Sequence, residues 1–276
     1  MTTRRKRRLP FYELAFVLAG ILYVSPLLLV LNNSLKTLPE INQAPLALPN
    51  PPTAANYQSI FTHVRLAGPM RNSLLMAGTV ILCLITLAPM AAYSLVRRKM
   101  ATGPLLRVCF LAGLIIPFQV LMVPLLQEFR FLRIEYTYLS LLLVYVSGGL
   151  PLAIFMYSGF LSTVPRELEE AAAIDGCGTL GTYFRIIFPL LAPCTVTIVI
   201  FWGLWVWNDF LTAFIFMGSS RGQLAFVQLW RFLSDKYVKN WDTIFAGVVV
   251  LSLPVTVLYL TMQRRLVAGL TGGAVK

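Results

Sequence analysis

The chain has 276 residues, of which 58% are hydrophobic and only 12% charged, with a mean hydropathy of +0.75. Water-soluble domains carry about 25% charged residues, so the composition excludes an ordinary soluble fold. The 23 Lys and Arg against 11 Asp and Glu leave a formal charge of +12, and the placement of those charges has to decide between nucleic acid and membrane as its cause.

A bilayer core is crossed by about 20 apolar residues in a helix. In chain order the apolar runs predict six such helices, over 11–31, 74–96, 105–126, 138–160, 191–217 and 243–263. The first follows a basic start, but it is too long for a signal-peptide core and lacks a small-residue cleavage site, so it reads as a retained span. The expected fold class is all-α: a polytopic membrane protein with a single transmembrane domain over 1–276 and no room for a large domain outside the bilayer.

With both termini inside, Arg4, Arg5, Lys6, Arg7, Arg8, Arg97, Arg98, Lys99, Arg107, Arg166, Arg185, Arg264, Arg265 and Lys276 fall on the cytoplasmic side, 14 of the 23. Basic clusters close to span ends orient helices, so the charge is topogenic, N-in and C-in, and needs no nucleic acid to explain it. The outer connections, 32–70, 127–137 and 218–242, are short. The first contains Pro45, Pro49, Pro51 and Pro52 and is expected to run extended over the membrane surface rather than pack into a domain.

Few residues offer covalent or metal chemistry. Cys83, Cys109, Cys177 and Cys194 stand singly, with no C-x-x-C, and read as reduced structural thiols; His63 is the one histidine and sits in a polar loop. No Walker A sequence is present, so ATP has no Gly-rich loop to bind here. No H-E-x-x-H and no convergent nucleophile and acids occur within the spans, which argues against an intramembrane enzyme.

Three places within the spans are polar or helix-breaking. Gly148, Gly149 and Pro151 in the fourth span predict a break or kink, either bordering a cavity or serving close helix packing. Gln119, between Pro117 and Pro124, is either an amide facing a pathway or an interhelical hydrogen bond. Asn208 and Asp209 follow Trp202, Trp205 and Trp207, and read either as pathway groups beside aromatic rings or as an interfacial belt.

The longest cytoplasmic connection, 161–190, reads LSTVPRELEEAAAIDGCGTLGTYFRIIFPL. It has the grammar of two short helices. Thr163 is expected to cap the first, Pro165 to sit in its opening turn, and Glu167, Glu169 and Glu170 to favour its dipole. Gly176 and Gly178 end it, Thr179 caps a second helix through Ile187, and Pro189 begins the rise into the fifth span. Leu168, Ala171, Ala172 and Asp175 are expected to share one small, shallow face.

The series Glu170, Ala171, Ala172, Gly176, Ile186 and Pro189 resembles the EAA loop of ATP-binding-cassette (ABC) importer permeases, with Phe188 where that family usually has Leu. IIPFQVLMVPL at 115–125, the WND triplet at 207–209 and the tail QRRLVAGLTGGAVK look like its carbohydrate-uptake branch, similar to the second permease subunit of maltose and glycerol-phosphate type importers.

The resemblance implies a coupling loop in which Glu170, Ala171, Ala172, Asp175, Gly176, Ile186 and Pro189 engage a cytoplasmic ATPase. It also implies a second permease subunit, two ATPase subunits carrying ATP and Mg, no cofactor on this chain, and a solute-binding protein delivering a sugar. The expected place is the bacterial cytoplasmic (inner) membrane. Gln119, Gly148, Gly149, Asn208 and Asp209 are the candidates for the translocation pathway. An amino-acid or polyamine importer, a passive channel and an intramembrane enzyme are the alternatives.

Overall fold

Four stretches of this chain are apolar for longer than a soluble helix can tolerate, and each folds as a single long helix. The computed structural model describes residues 11–97, 103–218, 223–234 and 240–274, without the side chains of Phe11, Arg107 and 262–274. Arg4–Arg8, Arg98, Lys99 and Lys276 lie outside the described residues, as do the side chains of Arg107, Arg264 and Arg265. Among the described residues every regular element is helical.

The four long helices are α1 (Phe11–Ser34), α4 (Ala67–Arg97), α7 (Tyr138–Leu161) and α14 (Trp241–Ala274). Two further apolar stretches are bent pairs. α5 (Gly103–Ile115) and α6 (Phe118–Phe131) meet at 102°, and the stretch Thr179–Leu190 meets α11 (Ala192–Asn208) at 67°. Four helices are thus long and apolar enough to cross a membrane, or six if each bent pair is one span. The third predicted span is therefore not a straight helix. Pro117 has no N–H and disfavours helical backbone at Ile116, so the chain turns there and Pro117 starts α6 in an extended conformation (φ −61°, ψ 123°).

Two other expectations change. The fourth predicted span does not break: α7 is uninterrupted through Gly148, Gly149 and Pro151. The fifth does break, at Asp209, whose extended backbone (φ −73°, ψ 121°) ends α11 before α12 (Leu211–Met217) begins.

The chain forms two compact units. One comprises residues up to Leu66 together with Leu229–Leu253. Here the Pro-rich connection after α1 does not run extended; it folds around α2 (Leu38–Gln43) and α3 (Ala55–Thr62). Lys36 is 1% exposed and donates to the carbonyls of Ala44 (3.0 Å) and Pro45 (3.1 Å), while Asn56 Nδ2 donates to those of Ser34 and Lys36. These bonds satisfy backbone acceptors that an irregular loop would otherwise leave to water. The Thr37 N–H and hydroxyl both donate to Glu40, which holds that carboxyl below its ordinary pKa. This cap is present at neutral pH and is lost as pH falls through the lowered value. By contrast, α1 exposes nearly its whole apolar length, as a helix whose surroundings are lipid or another chain would.

The other unit comprises Ala67–Gln228 and the chain from Pro254 onward. Its core is made by α4, α7 and α11, with α4 packed along most of α7. Met76, Val80, Leu84, Ala88 and Ala92 form one buried row on α4, and Cys194, Ile198, Trp202 and Val206 another on α11. Rows four residues apart are the ridges by which helices interdigitate. Gly149 lies where the three helices are tightest: a Cβ there would stand 2.9 Å and 3.0 Å from the Leu84 methyls and 3.3 Å from the Trp202 ring. At Gly148 nothing lies within 4 Å of the same position. Gly149→Val is therefore expected to lower the stability of the purified protein by about 1–3 kcal/mol, the usual cost of overpacking. Gly148→Val, with the same propensity change and no clash, is the control; thermal unfolding in detergent checks the difference.

Candidate functional site

Two places in the larger unit bring candidate side chains together: the 161–190 connection and the break after α11. The connection opens with α8 (Glu167–Ile174), whose N-cap position is Arg166 rather than Thr163. The Thr163 hydroxyl instead donates back to the Phe160 carbonyl, beyond the end of α7. At the other end of α8, Gly176 has φ +78°, a left-handed conformation that glycine adopts without penalty. The Gly176 N–H donates to Ala173 (3.1 Å) and the Cys177 N–H to Ala172 (2.8 Å), the paired bonds of a Schellman stop.

After this stop comes α9 (Thr179–Thr182), with Gly178 as its N-cap, so Thr179 is helical rather than capping. The helix widens into a π-helical segment, Tyr183–Ile187, and closes as α10 (Phe188–Leu190). It thus reaches beyond Ile187, up to the 67° bend before α11. Tyr183 is buried among Tyr93, Phe184 and Phe188.

The outward surface of the connection is specific. Glu170, Ala171, Asp175 and Gly176 are exposed, whereas Ala172 is turned inward and 4% exposed. The shared face expected for Leu168, Ala171, Ala172 and Asp175 is therefore split. Its outward part is continued by Ile174, 87% exposed, and by Leu180 and Phe184. Ile186 is half-buried against the core, and Pro189 is exposed in the first turn of α10. Glu169 is the exception among the acids: it faces α4, as described below.

At the break after α11, Tyr145 of α7 donates from its hydroxyl to Asp209 at 2.8 Å. Asn208 is exposed and its amide donates to the Leu204 carbonyl, satisfying an acceptor near the helix end. Phe201, Leu204, Trp205, Asn208 and Asp209 line an open recess. Trp205 packs edge-on against Tyr145 (5.6 Å) and Trp202 (4.8 Å), so these two rings fix the ring in the recess wall. The indole N–H of Trp202 is buried without a hydrogen-bond partner.

A second hollow, between α4, α5 and α7, is lined mainly by Leu95, Phe110, Leu111, Pro151 and Phe155. The hydroxyl of Ser162 in that lining is already committed to the Gly159 carbonyl, and the hollow offers little to a polyhydroxylated ligand.

Of the other sequence candidates, Gln119 and Gly148 are exposed, on α6 and α7, and Gly149 is buried in helix packing. Tyr145 belongs to no motif; its one signal in the sequence is a hydroxyl inside an otherwise apolar run. The four cysteines are unpaired, and among the described residues no group of His, Cys, Asp and Glu could hold a metal ion. His63 ends α3, with Nδ1 3.1 Å from the Thr62 hydroxyl and 3.3 Å from that of Ser59.

The profile of a family described as binding-protein-dependent transport system inner membrane component matches residues 84–272. A probable starch degradation products transport system permease protein of Thermoanaerobacterium thermosulfurigenes is 33% identical over 274 residues, 99% of each chain. A trehalose transport system permease protein of Mycobacterium tuberculosis is 32% identical over 91% of this chain and 92% of that protein. A bacterial ABC transporter involved in the import of the acidic polysaccharide alginate has a chain that shares the fold, with a TM-score of 0.80 at 17% identity over 96% of this chain and 98% of that one.

Replacing Tyr145 with Phe keeps the ring but takes the proton donor from a partly buried carboxylate. The expected loss is about 1–3 kcal/mol, measured by thermal unfolding in detergent. Asp209→Asn, whose side-chain oxygen still accepts, is expected to lose less.

Proposed function

This chain belongs to the family of binding-protein-dependent transport system inner membrane components, and we propose that it forms half of the transmembrane pathway of an ABC importer for a sugar or sugar derivative. The single observation that carries the reading is the 161–190 connection, with its Schellman stop at Gly176 and its outward patch of Leu168, Ala171, Ile174 and Asp175. This is a rigid, mostly apolar knob with carboxylates beside it, the shape and chemistry that fit a groove on another protein.

In this reading six spans cross the bacterial cytoplasmic membrane, the bent α5–α6 pair counting as one and α11 opening the fifth, with both termini and the 161–190 connection cytoplasmic. The knob seats in an ATPase subunit, and Glu170, Ala171, Ala172, Asp175, Gly176, Ile186 and Pro189 make or shape that contact. Two such ATPases hold ATP and Mg, and this chain holds neither. A second permease subunit supplies the other half of the pathway, and a solute-binding protein delivers cargo at the outer face. ATP closure moves the knob, and the helices attached to it switch the pathway between two arrangements.

On the pathway side, the recess at the α11 break offers what a sugar needs: the Trp205 ring for the apolar face of a pyranose, and Asn208 and Asp209 for its hydroxyls. Asp209 is half-buried and held by Tyr145, so its direction is fixed before cargo arrives. Gln119 and Gly148, both exposed, line the same pathway in this proposal, whereas Gly149 acts through helix packing. Relatives of nearly equal identity are described as handling starch products, trehalose, and melibiose, raffinose and stachyose, so overall identity favours a sugar class and not one sugar.

Glu170→Lys reverses a charge on the docking knob, and Gly176→Leu puts a side chain at φ +78°. Each is expected to abolish ATP-driven uptake while leaving the chain inserted in the membrane. Transport assays on membrane vesicles, with immunoblots for insertion, check both, and normal uptake would contradict the docking role.

A further inference from the structure

Four acids lie between Glu167 and Asp175, and three of them, Glu167, Glu170 and Asp175, are exposed. Glu169 is turned the other way, with its side chain 18% exposed. Its Oε2 accepts from the Tyr93 hydroxyl at 2.9 Å, and its Oε1 lies 2.6 Å from Arg97 Nε. The Nε–H is not directed at that oxygen, so charge holds this contact and Tyr93 supplies the aligned hydrogen bond.

Tyr93 and Arg97 are four residues apart and so share one face of α4, at its last turn. Arg97, 8% exposed, also donates from Nη2 to the Val164 carbonyl at 2.7 Å, in the linker before α8. The Tyr93 ring packs 5.2 Å from Tyr183 in the π-helical segment after α9. One end of α4 is thus fastened to three parts of the connection: the linker, α8 and the π segment.

We infer that Tyr93, Arg97 and Glu169 form a latch that carries movement of the 161–190 knob into α4. Glu169 is a positioning residue that grips the second span, distinct from the outward acids that face the motor. This rests on the docking reading above. An exposed ion pair would yield to water and would transmit little. This pair is shielded, and separating its members leaves a charge without its partner in a poorly hydrated place, so α8 and the end of α4 move together. Because α4 is packed along α7 against the Gly149 contact, displacement of its inner end is passed along the whole core.

The test uses the assembled importer with its ATPase subunits, in proteoliposomes. Leu75, exposed on the opposite half of α4, is replaced by Cys in a chain whose four cysteines are Ser, and its labelling rate by a membrane-impermeant maleimide is compared with and without ATP and vanadate. With the latch intact the rate changes on trapping. Glu169→Gln is expected to shrink that change by about fivefold or more, the lower end of typical coupling factors, with the ATPase subunits still co-purifying. Arg97→Glu combined with Glu169→Arg is expected to restore it.

An unaltered response in Glu169→Gln, no recovery in the reversed pair, or loss of the ATPase subunits from Glu169→Gln would each overturn the latch. Ile174→Asp separates this from the docking reading. If it strips the ATPase subunits while Glu169→Gln changes nothing, the latch alone fails. If the subunits stay bound to Ile174→Asp, the docking reading fails and the latch with it.

Discussion

The contact among Gly149, Leu84 and Trp202 fixes how α4, α7 and α11 pack in the larger unit. Within a bilayer, helices gain little from burying apolar surface against one another, because lipid is as apolar as leucine; close approach and interlocking shape have to hold them instead. A glycine at 149 lets α7 approach both α4 and α11 closely enough for the rows spaced four residues apart to interlock. Both candidate regions are extensions of these same helices. α4 ends at the Tyr93–Arg97 face, α7 runs directly into the 161–190 connection, and α11 leaves it and ends at the Asp209 recess.

The polar groups follow the same constraint. Backbone that leaves the helix at membrane depth must find partners. At the α11 break the Asn208 amide covers the Leu204 carbonyl, while Tyr145 holds the Asp209 side chain rather than its backbone. Near the connection, the Tyr157 hydroxyl donates to Thr195 and so ties α7 to α11 just past the bend. Both ends of the three-helix core thus carry specific polar ties, and between them lies the close packing around Gly149. Such an arrangement transmits displacement from one end to the other, because a close-packed interior shifts between arrangements rather than deforming smoothly.

Much of this was legible from the residues. The apolar runs located all the long helices to within a few residues at most ends, and the glycines after Ile174 located the stop that Gly176 makes at φ +78°. The 161–190 connection was legible because its signals are local: acids in a first turn, small residues, then Gly. The breaks were less so. Gly148, Gly149 and Pro151 look like a break and do not make one, because neighbouring helices hold α7 in shape and use the missing Cβ for packing. Asp209 makes one without a Gly or Pro to announce it. Least legible was the latch. Arg97 reads as an orientation charge and Glu169 as one acid among four, and no local pattern says that residues 72 positions apart will meet. The folding of the connection after α1 escaped for the same reason: its prolines are local and conspicuous, whereas the bonds of Lys36 and Asn56 that gather it are not.

In the docking reading, the 161–190 knob is where this subunit meets an ATPase on the cytoplasmic side. Ile174 is 87% exposed at its tip. A photo-crosslinking amino acid placed there in the fully assembled importer reports which protein the knob touches. One dominant adduct, to the ATPase subunit, is expected. An adduct to the solute-binding protein, or labelling of position 174 from the outer face of intact vesicles, would contradict it.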